Sequence, residues 1–305
     1  MQVAPSITMI DTLLGGIEGV TAAYLVASTN PALVETGAET SAGTLIDALH
    51  AMGMHPDDLA WLVLTHIHLD HCGGVGELAA AFPKATVVVH RRGARHLAEP
   101  ERLVSASAAV YGDLAPLYGG LTAVPQDRIM AVEDGERIPL GASRELVMRE
   151  ALGHARHHMA VLDEATGTLM AGDALGVQFT GAGLYQALPP PDIDIDRSLA
   201  TLGMLADLTP ETLLLGHYGP VPDPQEAIAA AVAQQSSLAA PVRDAWRSGG
   251  LAEVATAVER VLPFAETVGE PGAIARWGRL RWVENTVAGL ADWAERMPAE
   301  TPGGG

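Results

Sequence analysis

The sequence predicts an α/β fold in which two β-sheets pack together and helices cover their outer faces. Two observations predict it. Short apolar runs of strand length recur along the chain in two series, and stretches of helical length separate several of them. Two such series favour a layered arrangement, because each sheet must bury its apolar face against another element. A run of helices follows the second series.

The strand-like runs can be assigned in chain order. The first series comprises residues 22–26, 62–64 and 86–89, with helical stretches around 44–52 and 77–82. The second series begins near Ile129 and continues with residues 146–148, 159–162, 169–171 and 213–215. Each run is short and apolar, as strands of a packed sheet require.

Proline residues at 220, 222 and 224 predict a boundary, after which the pattern changes to helix. Helices are predicted over 227–238, 251–262 and 273–297, with breaks at Pro241, Gly249-Gly250, Pro263 and Pro271. In the last stretch apolar residues recur at steps of three or four, as in an amphipathic helix. They are Ile274, Trp277, Leu280, Val283, Val287, Leu290 and Trp293. The sequence therefore predicts one domain over residues 1–222 and a helical subdomain over 223–305, ending in a flexible Gly-rich tail.

The segment with the strongest chemical signal follows the apolar run at 61–64. It places His66, His68, Asp70 and His71 within six residues, before the turn at Gly73-Gly74. In an extended segment side chains alternate, so His66 and His68 point to the same side and can chelate one ion. Asp70 and His71 lie where the chain turns and can face a second ion. Imidazole and carboxylate together suit zinc, iron or manganese.

Two ions need more ligands than this loop supplies, and three candidates lie downstream. His154 follows Gly153, Asp173 follows Gly172, and His217 follows Gly216. Each stands just beyond a short strand-like run. This shared pattern of strand, glycine and ligand predicts that the three side chains meet the histidine-rich loop.

The order His-x-His-x-Asp-His, then His, Asp and His, resembles the metallo-β-lactamase superfamily. The resemblance covers about the first 222 residues and implies a four-layer αββα sandwich. It implies that His66, His68 and His154 hold one metal, that Asp70, His71 and His217 hold a second, and that Asp173 bridges them. Glu35 stands where the superfamily commonly has Asp, as a buried group beside the metals that accepts a hydrogen bond from a ligand histidine.

These residues predict a binuclear metal-dependent hydrolase, with two divalent ions, most simply zinc, and iron or manganese as alternatives. A hydroxide between two metals is available near neutral pH because coordination lowers the pKa of water from about 15.7 to roughly 7. Asp70 is the predicted catalytic residue, orienting the nucleophile and passing a proton to the leaving group. The expected substrate is a small thioester, lactone or ester, as in the group resembling glyoxalase II and the lactonases.

Two other activities of the same fold are open alternatives. A nuclease or phosphodiesterase would carry a similar motif, but a formal net charge of -19 and the absence of an added basic arm count against it. An iron-dependent redox enzyme is the third hypothesis. Within the hydrolase group, only Arg276, Arg279 and Arg281 approach a glutathione-binding cluster, and no tyrosine follows Asp173 before Tyr185.

Composition fits a globular protein of 305 residues, with 48% hydrophobic and 18% charged residues. The acidic balance predicts a small-molecule substrate, with no nucleic acid and no membrane as partner; a homo-oligomer is compatible with the sequence. We recognise no signal peptide and no apolar span long enough to cross a bilayer. Cytoplasmic localisation is the resulting expectation.

Three features have two interpretations each. Cys72, the only cysteine, is a small buried residue or a further ligand or nucleophile. Residues 189–191, three prolines, either shape the rim of the pocket or form a rigid connector. Arg91, Arg92 and Arg95 either steer an anionic substrate or start a solvated helix. The helices after Pro224 are predicted to form one wall of the pocket, with Trp277, Arg281 and Trp282 as candidate substrate contacts.

Overall fold

The computed structural model describes residues 1–178, 183–269 and 271–297. Its larger sheet has seven strands in sequence order, antiparallel from the first to the fourth strand and parallel from the fourth to the seventh. The strands are β1 Gln2–Ala4, β2 Ile7–Asp11, β3 Ala22–Val26, β4 Ala32–Val34, β5 Trp61–Val63, β6 Thr86–His90 and β7 Ile129–Val132. The helices between them are α1 Ala42–Ala51, α2 Leu69–Cys72, α3 Val75–Ala81, α4 Arg91–Ala98, α5 Glu101–Tyr111 and α6 Ala115–Tyr118.

The second sheet has five strands in the order β14-β11-β10-β9-β8, and only the β11–β14 pair is parallel. Its strands are β8 Arg137–Gly141, β9 Arg144–Glu150, β10 Met159–Asp163, β11 Thr168–Met170 and β14 Thr212–Leu214. Between β11 and β14 lie the small pair β12 Val177–Gln178 and β13 Leu184–Tyr185 and the helix α7 Ile195–Asp207. The parallel β11–β14 pair requires this crossover, because parallel strands cannot be joined by a tight hairpin.

The buried residues show four layers. One core cluster lies between the sheets and contains Met9 and Tyr24 from the first sheet with Met148 and Met170 from the second. A second cluster joins the outer face of the first sheet to α1, α3 and α4, and a third joins the outer face of the second sheet to α7. Strands buried on both faces explain the uninterrupted apolar runs. The predicted αββα sandwich is therefore confirmed.

The carboxyl-terminal helices differ in detail from the prediction. They are α8 Pro224–Gly249, α9 Leu251–Val261, α10 Phe264–Val268, α11 Pro271–Gly278 and α12 Trp282–Arg296. The predicted break at Pro241 is wrong, since α8 continues through it. Proline removes the helical hydrogen bond to the carbonyl four residues earlier, and that residue, Ser237, is exposed and can bond water instead. The single predicted helix over 273–297 is also wrong, because Arg281 is left-handed, with φ 55°, and separates α11 from α12.

These helices share the core cluster on the outer face of the first sheet, to which Val254, Trp277 and Leu290 contribute. The boundary between residues 222 and 223 stays a prediction, and the predicted flexible tail lies outside the described residues. None of the helices that the structure describes combines the length and the apolar character needed to span a bilayer.

Candidate metal centre

The histidine-rich loop lies at the carboxyl end of β5, in the parallel part of the first sheet. The backbone bends at Thr65 and is extended at His68, the residue that precedes α2, and Asp70 and His71 lie within that one-turn helix. The hydroxyl of Thr36, from the loop after β4, donates to the carbonyl of His71 at 2.9 Å. The ends of neighbouring parallel strands thus hold the loop in place, and its ligand side chains converge in a buried space.

The first group consists of His66, His68 and His154. Nδ1 of His68 lies 3.1 Å from Nε2 of His66 and 3.0 Å from Nε2 of His154. His154 reaches the group because Gly153 makes the preceding turn, with φ 130°. A Cβ at that glycine would lie 2.4 Å from Cα of Ser198, so only glycine fits there. The predicted strand–glycine–ligand pattern here has a steric cause.

The second group consists of Asp70, His71 and His217. Nε2 of His217 lies 3.2 Å from Nε2 of His71 and 3.3 Å from Oδ2 of Asp70. His217 follows β14, as predicted. Each group can offer one ligand atom per residue, with all three atoms within 4.8 Å of one another.

Asp173 lies between the two groups. Its Oδ1 is 3.4 Å from Nε2 of His71, and its Oδ2 is 3.4 Å from Nε2 of His217 and 3.6 Å from Nε2 of His154. A carboxylate in this position faces ligand atoms of both groups. That is the position that a shared ligand needs.

The donor atoms fit divalent metal ions. Nitrogens held at about 2.0–2.1 Å from a tetrahedral ion lie roughly 3.3 Å apart. Three nitrogen–nitrogen distances within the groups, His68 to His66, His68 to His154 and His71 to His217, are 3.0 to 3.2 Å. Oδ1 of Asp173 is also buried, and apart from Nε2 of His71 at 3.4 Å it has no hydrogen-bond donor among the described residues. A buried carboxylate oxygen in that state is costly unless a cation or a donor faces it.

The family model of the metallo-beta-lactamase superfamily matches residues 16–217, a segment that contains both groups and Asp173. The chain belongs to the metallo-beta-lactamase superfamily. A metallo-beta-lactamase fold-containing protein of Sulfurisphaera tokodaii is 35% identical over 167 residues, which are 53% of this chain and 62% of that relative. The match thus spans less than two thirds of that relative's length.

Solved structures of superfamily proteins show the same fold over most of the chain. The structure of an archaeal protein from Sulfolobus tokodaii aligns with a TM-score of 0.69 at 24% identity, covering 93% of this chain and 98% of that one. A family protein from Thermus thermophilus aligns with a TM-score of 0.65 at 24% identity, covering 92% and 95%. The fold likeness therefore includes most of α8–α12, which lie beyond the segment that the family model matches.

Groups behind the ligands orient the imidazole rings. Thr65 donates its hydroxyl proton to Oε1 of Glu35 at 2.5 Å, so its oxygen can accept from Nδ1 of His66 at 2.9 Å. Oε1 of Glu35 also lies 3.4 Å from Nδ1 of His71. Nδ1 of His217 donates to the carbonyl of Val20 at 3.0 Å. With Nδ1 protonated in each ring, Nε2 is free to face a metal.

The two groups differ in protonation. Burial lowers the pKa of His66, His68 and His154; Asp173 opposes this shift in all three rings and His71 adds to it, with burial the largest effect. Burial also lowers the pKa of His217, but the carboxylates of Asp173 and Asp70 outweigh it and raise that pKa to about 9. The first group is therefore neutral and ready to coordinate, whereas a metal at the second group must displace a proton.

Other polar and thiol groups near the centre have clear structural roles. Nε2 of His158 accepts from the backbone N–H of Asp173 at 3.0 Å, which holds the shared carboxylate in position. Cys72 is fully buried in the core beneath the loop, and burial raises the pKa of its thiol well above its usual range. The small-buried-residue interpretation of Cys72 agrees with this environment, since only the thiolate is a good ligand or nucleophile.

A narrow cavity of about 30 Å³ lies over the two groups, room for about two water molecules. Tyr111, at the end of α5, donates its hydroxyl to Oδ1 of Asp70 at 3.3 Å and stacks on Tyr118, with ring centroids 3.9 Å apart. Trp282 of α12 packs edge-on against His217, with ring centroids 4.9 Å apart. Pro189 also lines the cavity, which agrees with the pocket-rim interpretation of the proline run.

Sequence reasoning missed both tyrosines. They stand seven positions apart around the end of a helix rich in alanine and serine, and no motif marks them. The three candidate contacts after Pro224 separate in the structure. Trp282 lines the cavity, Trp277 is 2% exposed in the core, and Arg281 pairs with Asp113 at 2.8 Å beside the segment that carries the tyrosines.

Proposed function

We propose that this chain is a hydrolase that uses two divalent metal ions to cleave a small carbonyl substrate, namely a thioester, a lactone or an ester. The observation that carries the proposal is the pair of three-residue ligand groups that share Asp173. His66, His68 and His154 would hold one ion. Asp70, His71 and His217 would hold the other.

The donor chemistry supports zinc first, with iron and manganese as alternatives. Five imidazoles and two carboxylates are a mixed nitrogen and oxygen set, which suits these ions better than magnesium or calcium. Two such ions, when bound, lower the pKa of water and polarise a carbonyl oxygen. Proton transfer and stabilisation of the developing charge would be carried out by side chains of the protein.

Asp70 and Tyr111 are the groups that this chain would use on the substrate. Oδ2 of Asp70 lies beside His217, while Oδ1 accepts from Tyr111, and both Asp70 and Tyr111 line the cavity. Oδ1 can take a proton from the attacking water and pass it to the leaving group. The hydroxyl of Tyr111 can donate to an oxygen on which charge develops in the transition state.

The side chains that line the cavity favour a substrate whose reacting group is small and is held away from water. Aromatic and aliphatic side chains surround the opening, and among the described residues that line it none is a lysine or an arginine. Such walls exclude water from the reacting atoms and strengthen the hydrogen bonds made there. The net charge of -19 supports a small molecule over nucleic acid as the substrate.

The test is metal analysis and activity on one preparation purified without added metal. We expect two equivalents of zinc, no visible absorption band, and turnover of a thioester, lactone or ester from a panel that also contains phosphodiesters and lactams. Asp173→Asn, which keeps the shape and removes the charge, should lose metal and activity together. Exposed Glu99→Gln should match the wild type.

Other outcomes of this experiment would point to another function or to another set of ligands. An iron spectrum would favour redox chemistry, and turnover of phosphodiesters alone would favour a nuclease. Two retained equivalents in Asp173→Asn would remove that residue from the shared position.

A further inference from the structure

A second and larger cavity of about 730 Å³ lies beside the metal centre, on the side of the first ligand group. Neighbouring residues of the chain line the two cavities. Gly153 lines the larger cavity, and the next residue, His154, lines the metal cavity. In the same way, Pro189 lines the metal cavity, and Asp192, three residues later, lines the larger cavity. Its volume falls in the range that small-molecule sites have, about 300–1,000 Å³.

Four arginines from separate parts of the chain meet at this cavity. They are Arg92 of α4, Arg156 of the loop after His154, Arg197 of α7 and Arg296 of α12. Three aspartates also line it, and a fourth, Asp292, pairs with Arg296, so carboxylates match the arginines in number. Trp293 and Ile193 add apolar surface.

Three of these arginines have carboxylate partners, and Arg92 is the one that has none among the described residues: the pairs are Arg156 with Asp192, Arg197 with Asp194 and Arg296 with Asp292. On α4, Arg91 pairs with Glu133 at 2.8 Å and Arg95 pairs with Glu99 at 3.0 Å. Arg92 instead donates from Nη1 to the carbonyl of Arg156 at 3.1 Å, and no carboxylate within the described residues forms an ion pair with it. A carbonyl positions a guanidinium without neutralising it, and four further N–H donors of Arg92 stay available.

Arg296 and Arg156 differ in how firmly their partners hold them. Arg296 donates to the carbonyls of Pro191 and Ile193, each at 2.7 Å, and pairs with Asp292, so it holds the loop between the two cavities. Arg156 pairs with Asp192 at 3.0 Å, but its side chain is 63% exposed. Exposed ion pairs contribute only about 0–1 kcal/mol. An incoming anion can therefore share this guanidinium at little cost.

We propose that this arginine-lined cavity binds an anionic group at the far end of the substrate, while the carbonyl to be cleaved lies at the metal centre. The proposal rests on the hydrolase function proposed above and names its substrate class: acyl compounds that end in a carboxylate or a phosphate. Planar guanidinium groups bind both of these anions through paired hydrogen bonds. The apolar wall suits the short chain between the two ends.

The kinetic test compares sets of acyl thioesters and esters that differ only in ending in a methyl group, a carboxylate or a phosphate. We expect Arg92→Gln and Arg156→Gln to raise KM for the charged members by about tenfold, the effect of one charge-assisted hydrogen bond, with kcat unchanged. Neutral members should be unaffected. Arg95→Gln is the matched control, because Arg95 lies on the same helix and is not among the residues that line the cavity.

Binding of glutarate, measured by titration calorimetry, supplies a readout that needs no turnover. Wild-type protein and Arg95→Gln should bind it equally, Arg92→Gln should bind it about tenfold more weakly, and neutral glutaramide should not bind. Equal binding by all three proteins, or equal KM changes for charged and neutral substrates, would overturn the proposal. Arginine-dependent glutarate binding in a protein that hydrolyses nothing would refute the hydrolase function and leave the anion site standing.

Discussion

Gly289→Ala should destabilise the protein and disturb the metal cavity, although alanine favours helices. Gly289 is buried in α12, where the helix crosses the loop that lines the cavity. A Cβ there would clash with the carbonyl oxygen of Leu188 and lie 2.8 Å from the carbonyl carbon of Pro189. Both contacts are with backbone, so no side-chain rotation relieves them, and either α12 or the loop must move.

The magnitude follows from a matched glycine. Gly203 also lies inside a helix, α7, but a Cβ there would meet nothing within 4 Å. Gly203→Ala should therefore stabilise the protein by about 0.5–1 kcal/mol, the general gain for such a change. Gly289→Ala makes the same gain and adds an overpacking cost of about 1–3 kcal/mol or more. The variants should differ by at least that cost, or roughly 2–8 °C in Tm.

The assay is thermal and urea unfolding of both variants, followed by activity measured at room temperature. We expect Gly203→Ala to unfold above the wild type and to keep full activity. Gly289→Ala should unfold below the wild type and lose activity, because Leu188 and Pro189 line the cavity. If Gly289→Ala proves as stable and active as Gly203→Ala, the packing of α12 on this loop is not the one described.

Four further outcomes are expected. Tyr111→Phe should lower kcat by about tenfold with metal content unchanged, because one hydrogen bond to a charged group is lost; an unchanged rate would remove the hydroxyl from the reaction. Cys72→Ala should keep turnover within about tenfold, an allowance for packing beside the loop; a collapse in rate with metals retained would contradict the structural role. Trp282→Ala should change the relative rates across a substrate panel several-fold with two metals still bound, and an unchanged substrate ranking would mean that α12 is only a scaffold. Trp277→Ala should mainly lower Tm, because the ring of Trp277 lies in the core. Finally, nearby carboxylates outweigh burial and raise the pKa of His71 well above its usual range and that of His217 to about 9, so these rings must lose protons when metal binds. Below pH 9, affinity for the second equivalent should fall by at least tenfold per pH unit as the pH is lowered, a slope that chelator competition measures and that a pH-independent second equivalent would disprove.

Local sequence was sufficient for the parts of the metal centre that depend on local geometry. His66, His68, Asp70 and His71 lie within six residues that end in one helical turn, so short-range spacing brings them together. Asp173 and His217 were predictable for a second reason. Both follow short apolar strands of one sheet, and the parallel pairing of β11 with β14 brings the ends of those strands together.

The same local reasoning failed where distant elements decide the conformation. The break between α11 and α12 has a local signal in Gly278, where α11 ends, but helical periodicity does not show that left-handed Arg281 directs α12 across the loop at Leu188. The helix through Pro241 is tolerated because the freed carbonyl lies on an exposed turn, and exposure is a property of the folded protein. Both errors concern how a helix meets its neighbours, which helical periodicity does not encode.

What the sequence by itself determined is the layered α/β fold and the identity of the ligand-type residues, since both follow from periodicities of a few residues. Only the tertiary structure decided what surrounds the ligands. Tyr111 meets Asp70 across 41 residues of sequence, and Arg92 meets Arg156 across 64. Such contacts depend on the packing of whole helices against the sheets, and packing angles and loop paths are set by the complete core and not by any one segment.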